Sequence, residues 1–254
     1  MLHTYGTSGN LFVGLGAGNF TLDATSISNV GFGRNVFKFL TLGMRNCGFG
    51  DAVFPALTSG NDNTIFGTFA GQGLTTASSN TAIGKDALKA NATSIRNTAI
   101  GMSALGSCVG ASNVAVGFNS AQALTGTAGS NGFNVCIGYG SGLQAQTVGG
   151  LTSVALTTAT NNTMLGNYAG STSATGTYRT AVGSDSICAV NNSIKLGRDH
   201  TPSVAGDMVT LPSVLTANLP TATAAMVGSI LFVTDSPGGG HVFFCNGTTW
   251  ARVN

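Results

Sequence analysis

Charge is scarce in this chain and glutamate is absent. Eight Asp and ten Lys or Arg among 254 residues leave a net charge of +2. A nucleic-acid partner needs clustered Lys and Arg to neutralise phosphates. None cluster here, so nucleic acid is not expected as a partner. No apolar run is long enough to span a bilayer, so membrane insertion is not expected, and MLHTYGTSGN lacks the basic and apolar regions of an export signal. A self-exported surface protein would need such a signal, so its absence favours a protein made in a host cytoplasm or a fragment of something longer. The five cysteines (Cys47, Cys108, Cys136, Cys188, Cys245) are odd in number and show no C-x-x-C spacing, which argues against a disulfide framework or a zinc site.

Catalytic groups are thin as well. A glycan-cleaving enzyme needs two carboxylates across a groove, but of Asp23, Asp51, Asp62, Asp86, Asp185, Asp199, Asp207 and Asp235 only Asp86 and Asp185 share a repeat position, several coils apart. His3, His200 and His241 are too few to argue a triad with any Ser. Asp199-His200 reads as an exposed neck pair, with an ion held on a threefold axis as the sharper alternative. The Gly-x-Gly strings at Gly14 to Gly18 and Gly138 to Gly140 open no helix after a strand, so they are no phosphate cradle. No enzyme activity, cofactor or metal is expected.

What the chain does have is glycine, 38 residues of it, arranged periodically. Asn80 to Leu105 reads NTAIGKDALKANATSIRNTAIGMSAL, in which Asn-Thr-Ala-Ile-Gly begins at Asn80 and again 17 residues on at Asn97. Sliding that template finds its Gly at Gly14, Gly33, Gly50, Gly67, Gly84, Gly101, Gly117, Gly138, Gly166, Gly183 and Gly197. A fixed period of this size marks a stacked repeat architecture.

The template's columns suggest how each coil is built. Its first residue is Asn10, Asn29, Asn46, Asn63, Asn80, Asn97, Asn113, Asn134 and Asn162, then Arg179 and Ser193. Asn tolerates the left-handed region, so it is expected at a turn. Three residues on stand Val13, Phe32, Phe49, Phe66, Ile83, Ile100, Val116, Ile137, Leu165, Val182 and Leu196, always large and apolar. That column is expected to face the core, with the small column between (Ala82, Ala99, Ala115, Ala181, Gly31, Gly48) on the opposite face by the strand period of two. A second short strand is expected around Ala87-Leu88 and Ala104-Leu105. Helix is a poor reading, since Gly and Thr-Ser-Asn clusters arrive every few residues. The prediction is an all-β solenoid or roll of about eleven coils over 1–197, roughly 50 Å long at the usual strand spacing.

The N-T-A-I-G-x-x-A-L pattern resembles the repeats of bacteriophage tail fibres and is similar to those in the head domains of trimeric autotransporter adhesins. The match runs from Asn10 to Gly197 and is most specific from Asn63 to Ala121. The resemblance implies a parallel β-roll assembled as a homotrimer. The chain departs from the adhesin repeat in its longer period and two expanded coils.

Beyond Gly197 the pattern stops. Residues 198–220 hold Pro202, Pro212 and Pro220 and read as an extended neck. From 221 to 254 the sequence predicts a three-stranded β-meander: Ser229 to Thr234, His241 to Cys245 and Thr248 to Val253, with Asn246-Gly247 as a hairpin turn. This ending resembles the C-terminal tips of phage fibre proteins. So short a segment builds no core of its own, whereas three copies round one axis would.

The expectation is a non-catalytic virion fibre that attaches to a host-surface glycan or protein, anchored proximally by another virion component. A bacterial adhesin head and a polysaccharide-degrading tail enzyme are the alternatives. Candidate receptor contacts are Gly238, Gly239, Gly240, His241, Trp250 and Arg252, with filling of a trimeric tip core as the other reading of the aromatics. Two further features stay open. The Phe-rich first coils are either a hydrophobic cap or a docking surface, and the extra residues between Gly117 and Gly166 are either binding loops or tolerated length. An ice-binding row would need flat outward Thr, whereas these Thr share the face expected to be buried.

Overall fold

The computed structural model describes residues 2–5, 9–19, 22–90, 92–126, 132–143, 147–148, 151–197, 213–214, 230–233, 241–245 and 248–252. The chain forms two units, Met1–Asp207 and Met208–Asn254. Among the described residues there is no helix, as the sequence predicts.

In the first unit β1 (Leu2–Tyr5) pairs antiparallel with β2 (Asn10–Val13), and from there every neighbour in the main sheet is parallel. The ladder continues through β3 (Val30–Phe32), β4 (Cys47–Phe49), β5 (Thr64–Phe66), β6 (Thr81–Ile83), β7 (Thr98–Ile100), β8 (Val114–Val116) and β9 (Val135–Ile137). A short antiparallel pair, β10 (Thr147–Val148) with β11 (Leu151–Thr152), lies within the long coil. The ladder resumes with β12 (Thr163–Leu165), β14 (Arg179–Val182) and β16 (Ser193–Leu196). The result is a parallel β-solenoid of about 10 turns, whose register stacks template column on template column: Thr81 pairs with Thr98, Ala82 with Ala99 and Ile83 with Ile100.

The facing of the columns is the reverse of the expectation. Ala82, Ala99, Ala115 and Ala181 are completely buried, while Ile83 is 43% exposed and Leu165 likewise. Phe66, Ile100 and Ile137 are exposed and Phe49, Val116 and Val182 half-buried, so none of the eight residues assigned to the repeat core (Phe49, Phe66, Ile83, Ile100, Val116, Ile137, Leu165, Val182) lies inside the coil. The interior is narrow, and the space beside the middle strand residue is already filled from the turn. Val36, Leu40, Val53, Leu57, Leu74, Leu88 and Leu105 project into it and are fully buried. A bulky strand residue fits only where the turn gives way, as where Gly18 stands beside Phe12 and Gly71 beside Ile65, both side chains being fully buried.

The second strand expected at Ala87-Leu88 and Ala104-Leu105 is a turn in these coils, although all four residues are buried. Leu88 and Leu105 hold φ of 53° and 49°, left-handed values that bend the chain tightly enough to drop the Leu inward. A second parallel sheet forms only near the end of the unit, where β13 (Gly170–Ser171) pairs with β15 (Ile187–Cys188). The template glycine is required for closeness as well as for φ. At Gly84, with φ of 134°, an added Cβ would lie 2.6 Å from the carbonyl carbon and oxygen of Gly101 in the next coil.

The Asn column is not the left-handed turn residue. The residue before it takes that conformation (Arg45, Asp62, Ser79, Arg96, Ser112), and Asn itself is buried. Asn63 Nδ2 donates to Asn46 Oδ1 at 2.9 Å and to the Ala77 carbonyl at 2.8 Å, while its Oδ1 accepts from the backbone N–H and Nδ2 of Asn80, both at 3.0 Å. A ladder of interlocked amides therefore runs up the inside of the coils. It ends at Arg179, whose N–H donates to Asn162 Oδ1 at 3.0 Å. Its guanidinium binds Asn191 Oδ1 at 2.7 Å, Ser171 Oγ at 2.7 Å and the Cys188 carbonyl at 3.1 Å.

The second unit contains a four-stranded sheet of β17 (Ser213–Val214), β18 (Ile230–Val233), β19 (His241–Cys245) and β20 (Trp250–Arg252). β17 is parallel to β18, and the other two pairings are antiparallel. The extended neck expected at 198–220 falls outside the described residues except for β17.

Candidate functional site

The most extended candidate surface is the outer face of the twelve-stranded sheet. The strand period of two sends the residues on either side of the buried Ala outward. One outward column is Phe32, Phe49, Phe66, Ile83, Ile100, Val116, Ile137, Leu165, Val182 and Leu196. Its aromatic part is a parallel stack, Phe32 on Phe49 and Phe49 on Phe66, with ring centroids 4.8 Å apart in both cases. Beside it run Val30, Cys47, Thr64, Thr81, Thr98, Val114, Val135, Thr163 and Thr180. The Thr thus do point outward, contrary to the sequence reading, but Cys47, Val114 and Val135 interrupt the row. The continuous feature is the apolar column next to it. A run of this length exceeds the scattered apolar exposure normal for a monomer.

The Phe-rich first coils divide between the two sides of the strand. Phe12, Phe37 and Phe54 are fully buried, with Phe37 and Phe54 stacked at 4.9 Å, while Phe32, Phe49 and Phe66 form the outer stack. They both fill the coil and extend the outer apolar column.

A second cluster sits on the corner just past the template glycine. Phe118 and Tyr139 stack with centroids 5.1 Å apart and planes 15° from parallel, and Tyr168 meets Tyr139 at 5.1 Å and 69°. A hydrogen bond to the Tyr139 hydroxyl is the main reason the Tyr168 phenol is pushed above its usual value, with desolvation and the nearby Asp185 carboxylate adding to it. Sequence reasoning missed this cluster, because the three aromatics are 21 and 29 residues apart and only the coil register joins them.

Two of the five described carboxylates are committed to inter-coil pairs. Arg34 holds Asp51 through two contacts at 3.0 and 2.6 Å, and Arg45 holds Asp62 at 2.6 and 2.9 Å. The arginine hydrogen bonds depress both carboxyls below their ordinary value. Asp86 lies beside Lys85 and Lys89. Among the described residues no group of three or more His, Cys, Asp or Glu converges as a metal site would require. Burial pushes the Cys136 thiol up to about 12 and Cys108 to about 11, so neither is a ready nucleophile.

Of the receptor-contact candidates, Gly238, Gly239 and Gly240 lie outside the described residues. His241 begins β19 opposite Val233, Trp250 stands opposite Cys245 and Arg252 opposite Phe243, which brings Trp250 and Arg252 onto one strand two residues apart.

The fold defines the chain as a parallel β-solenoid repeat protein with an apolar outer sheet face. Comparison with protein-family models, curated proteins and solved structures finds no match to any of them.

Proposed function

We propose that the chain is a structural, non-catalytic attachment fibre of a virion, working as a homotrimer that binds a host-surface glycan or protein and joins another virion component at its proximal end. The observation that carries the reading is the continuous outer column from Phe32 to Leu196. An apolar stripe running the length of a solenoid is costly in water, at about 25 cal/mol per Å² left exposed. Because it is the same ladder on every copy, a cyclic assembly covers all copies at once. The second unit supports the same reading, since its four short strands make too small a domain to hold a core alone. Pairing of Asp51 and Asp62 with arginines supports a non-catalytic role, because carboxylates so neutralised are poor acids and bases.

A bacterial adhesin head would share this architecture, and a polysaccharide-degrading tail enzyme is the remaining alternative. The resemblance of the Asn-Thr-Ala-Ile-Gly repeat and of the C-terminal segment to phage fibres places the virion reading first. Sedimentation equilibrium tests it, with three times the 25.3 kDa chain mass expected. A single-chain mass at micromolar concentration would refute the assembly, and release of reducing sugar from capsular or lipopolysaccharide glycan would refute the non-catalytic role.

A further inference from the structure

We infer that the corner shared by Phe118, Tyr139 and Tyr168 is a lateral binding site for neutral pyranose glycans, which rests on the attachment reading and deepens it by naming where and what the fibre binds. The column just past the template glycine is a solvent column. In earlier coils it holds Leu15, Arg34, Asp51, Thr68, Lys85 and Met102, of which even the apolar Leu15 and Met102 are 75% and 41% exposed, and the Arg34 side chain is 59% accessible while paired to Asp51. Aromatics at 118 and 139 therefore do not fill a core, Tyr139 being exposed and Phe118 half-buried.

The corner is also shaped for the rings it carries. The next position takes a left-handed φ of 50–59° in coil after coil whatever the residue: Ala52, Phe69, Asp86, Ser103 and Asn119 all hold it. Gly140, at φ 58°, is thus not needed for the backbone. Its use is space, because a Cβ there would fall 2.8 Å from the Tyr168 ring. Removing that one methyl lets Tyr168 turn across the Phe118–Tyr139 stack, giving the corner two aromatic walls at a steep angle to each other.

Polar groups fringe these walls. Asn167 is exposed, and its Oδ1 accepts the Tyr139 backbone N–H at 3.1 Å, which fixes the amide plane. The Tyr139 phenol and the Asp185 carboxylate of the following coil both act on Tyr168 and push its phenol up. A sugar ring presents a C–H face to an aromatic wall and hydroxyls to planar amide and carboxylate groups, so this inventory suits a pyranose. Between Met102 and Asp185 the only charged residue in these two columns is Asp185 itself. Its negative charge disfavours acidic sugars and leaves the neutral ones.

Saturation-transfer NMR on the full chain tests the site, with the methyl glycosides of glucose, galactose, mannose and N-acetylglucosamine as neutral probes and sialyllactose as the acidic one. Saturation of ring C–H protons is expected for at least one neutral glycoside and not for sialyllactose. Affinity should fall on the order of ten-fold in Tyr139→Ala and in Tyr168→Ala, and should not change in Lys85→Ala, which alters the same column in an earlier coil. Because Tyr139 is exposed, its variant should keep the wild-type circular dichroism. Silence from every neutral probe, stronger saturation of sialyllactose, or undiminished binding in both tyrosine variants would each overturn the site. Sedimentation of the same samples separates the two readings. A three-chain mass with no glycan signal removes only this site, and a single-chain mass removes the fibre even if glycan binds.

Discussion

Replacing Asn63 by Ala should be far more damaging than its size suggests, because one side chain serves two neighbouring coils. Asn63 is completely buried. Truncation removes the partner of the Ala77 carbonyl, now held at 2.8 Å, and of the Asn80 backbone N–H, now held at 3.0 Å. Asn80 Nδ2 also loses a bond but keeps the Ser94 carbonyl at 3.0 Å, and the N–H of residue 63 itself keeps Asn46 Oδ1. Two backbone groups are thus left buried and unpaired, at about 1–3 kcal/mol each, so a loss of about 4 kcal/mol is expected. Asn61→Ala is the control, since it removes one half-buried bond from the Met44 N–H at 2.8 Å and should cost about 1 kcal/mol. Urea unfolding followed by circular dichroism at one protein concentration reads both, with unchanged m-values as the check on the comparison. If the two variants lose the same stability, the amide ladder is not a principal tie between coils.

The two faces of the strand should respond oppositely to substitution. Ala99→Leu enlarges a fully buried site and should cost about 1–3 kcal/mol, seen as a lower urea midpoint. Ile100→Ser should leave the far-ultraviolet spectrum intact while lowering the mass in sedimentation. Gly84→Ala brings a Cβ within 2.6 Å of the next coil's carbonyl at φ 134°, so it should destabilise by several kcal/mol, on the order of 3, or abolish soluble expression, whereas Gly140→Ala should only displace the Tyr168 ring. Acid should loosen the inter-coil ion pairs. The arginine hydrogen bonds hold the Asp51 and Asp62 carboxyls below the ordinary 3.8, so this stabilisation is present above that pH and lost as pH falls through the depressed folded values. The melting temperature should therefore drop further between pH 4 and pH 2 in the wild type than in the Arg34→Ala/Arg45→Ala variant, and equal slopes would argue that the pairs contribute nothing.

Much of the solenoid was legible because its repeat is enforced by contacts between copies. Each template glycine meets the next one's carbonyl, and most buried Asn grip the one before, so neither column tolerates drift and the period shows through the sequence. The departures are equally informative. Arg179 replaces Asn where the second parallel pair, β13 with β15, begins, and its longer reach joins Ser171 and Cys188 of that pair. The Phe118, Tyr139 and Tyr168 cluster was not legible, since expanded coils break the spacing there and no local pattern joins its members.

The inverted faces have a more general cause. In a strand, alternation says that two columns lie on opposite sides, but not which side is inside. Hydrophobicity settles that choice only when one side meets water. In the coils of Ala82 and Ala99 the bulky residues are outside and the alanines inside, because the interior is already filled from the turn by Leu88 and Leu105. Where the turn supplies Leu88 or Leu105 the inward strand residue is Ala82 or Ala99, and where that residue is Phe12 or Ile65 the turn supplies Gly18 or Gly71. That reciprocal size limit between strand and turn is therefore the local signal for which side is the interior. A large, invariably apolar column beside the inward one must then be explained by something beyond the single chain, and this makes the outward Ile83 and Ile100 a stronger argument for self-assembly than the same residues would be if they were buried.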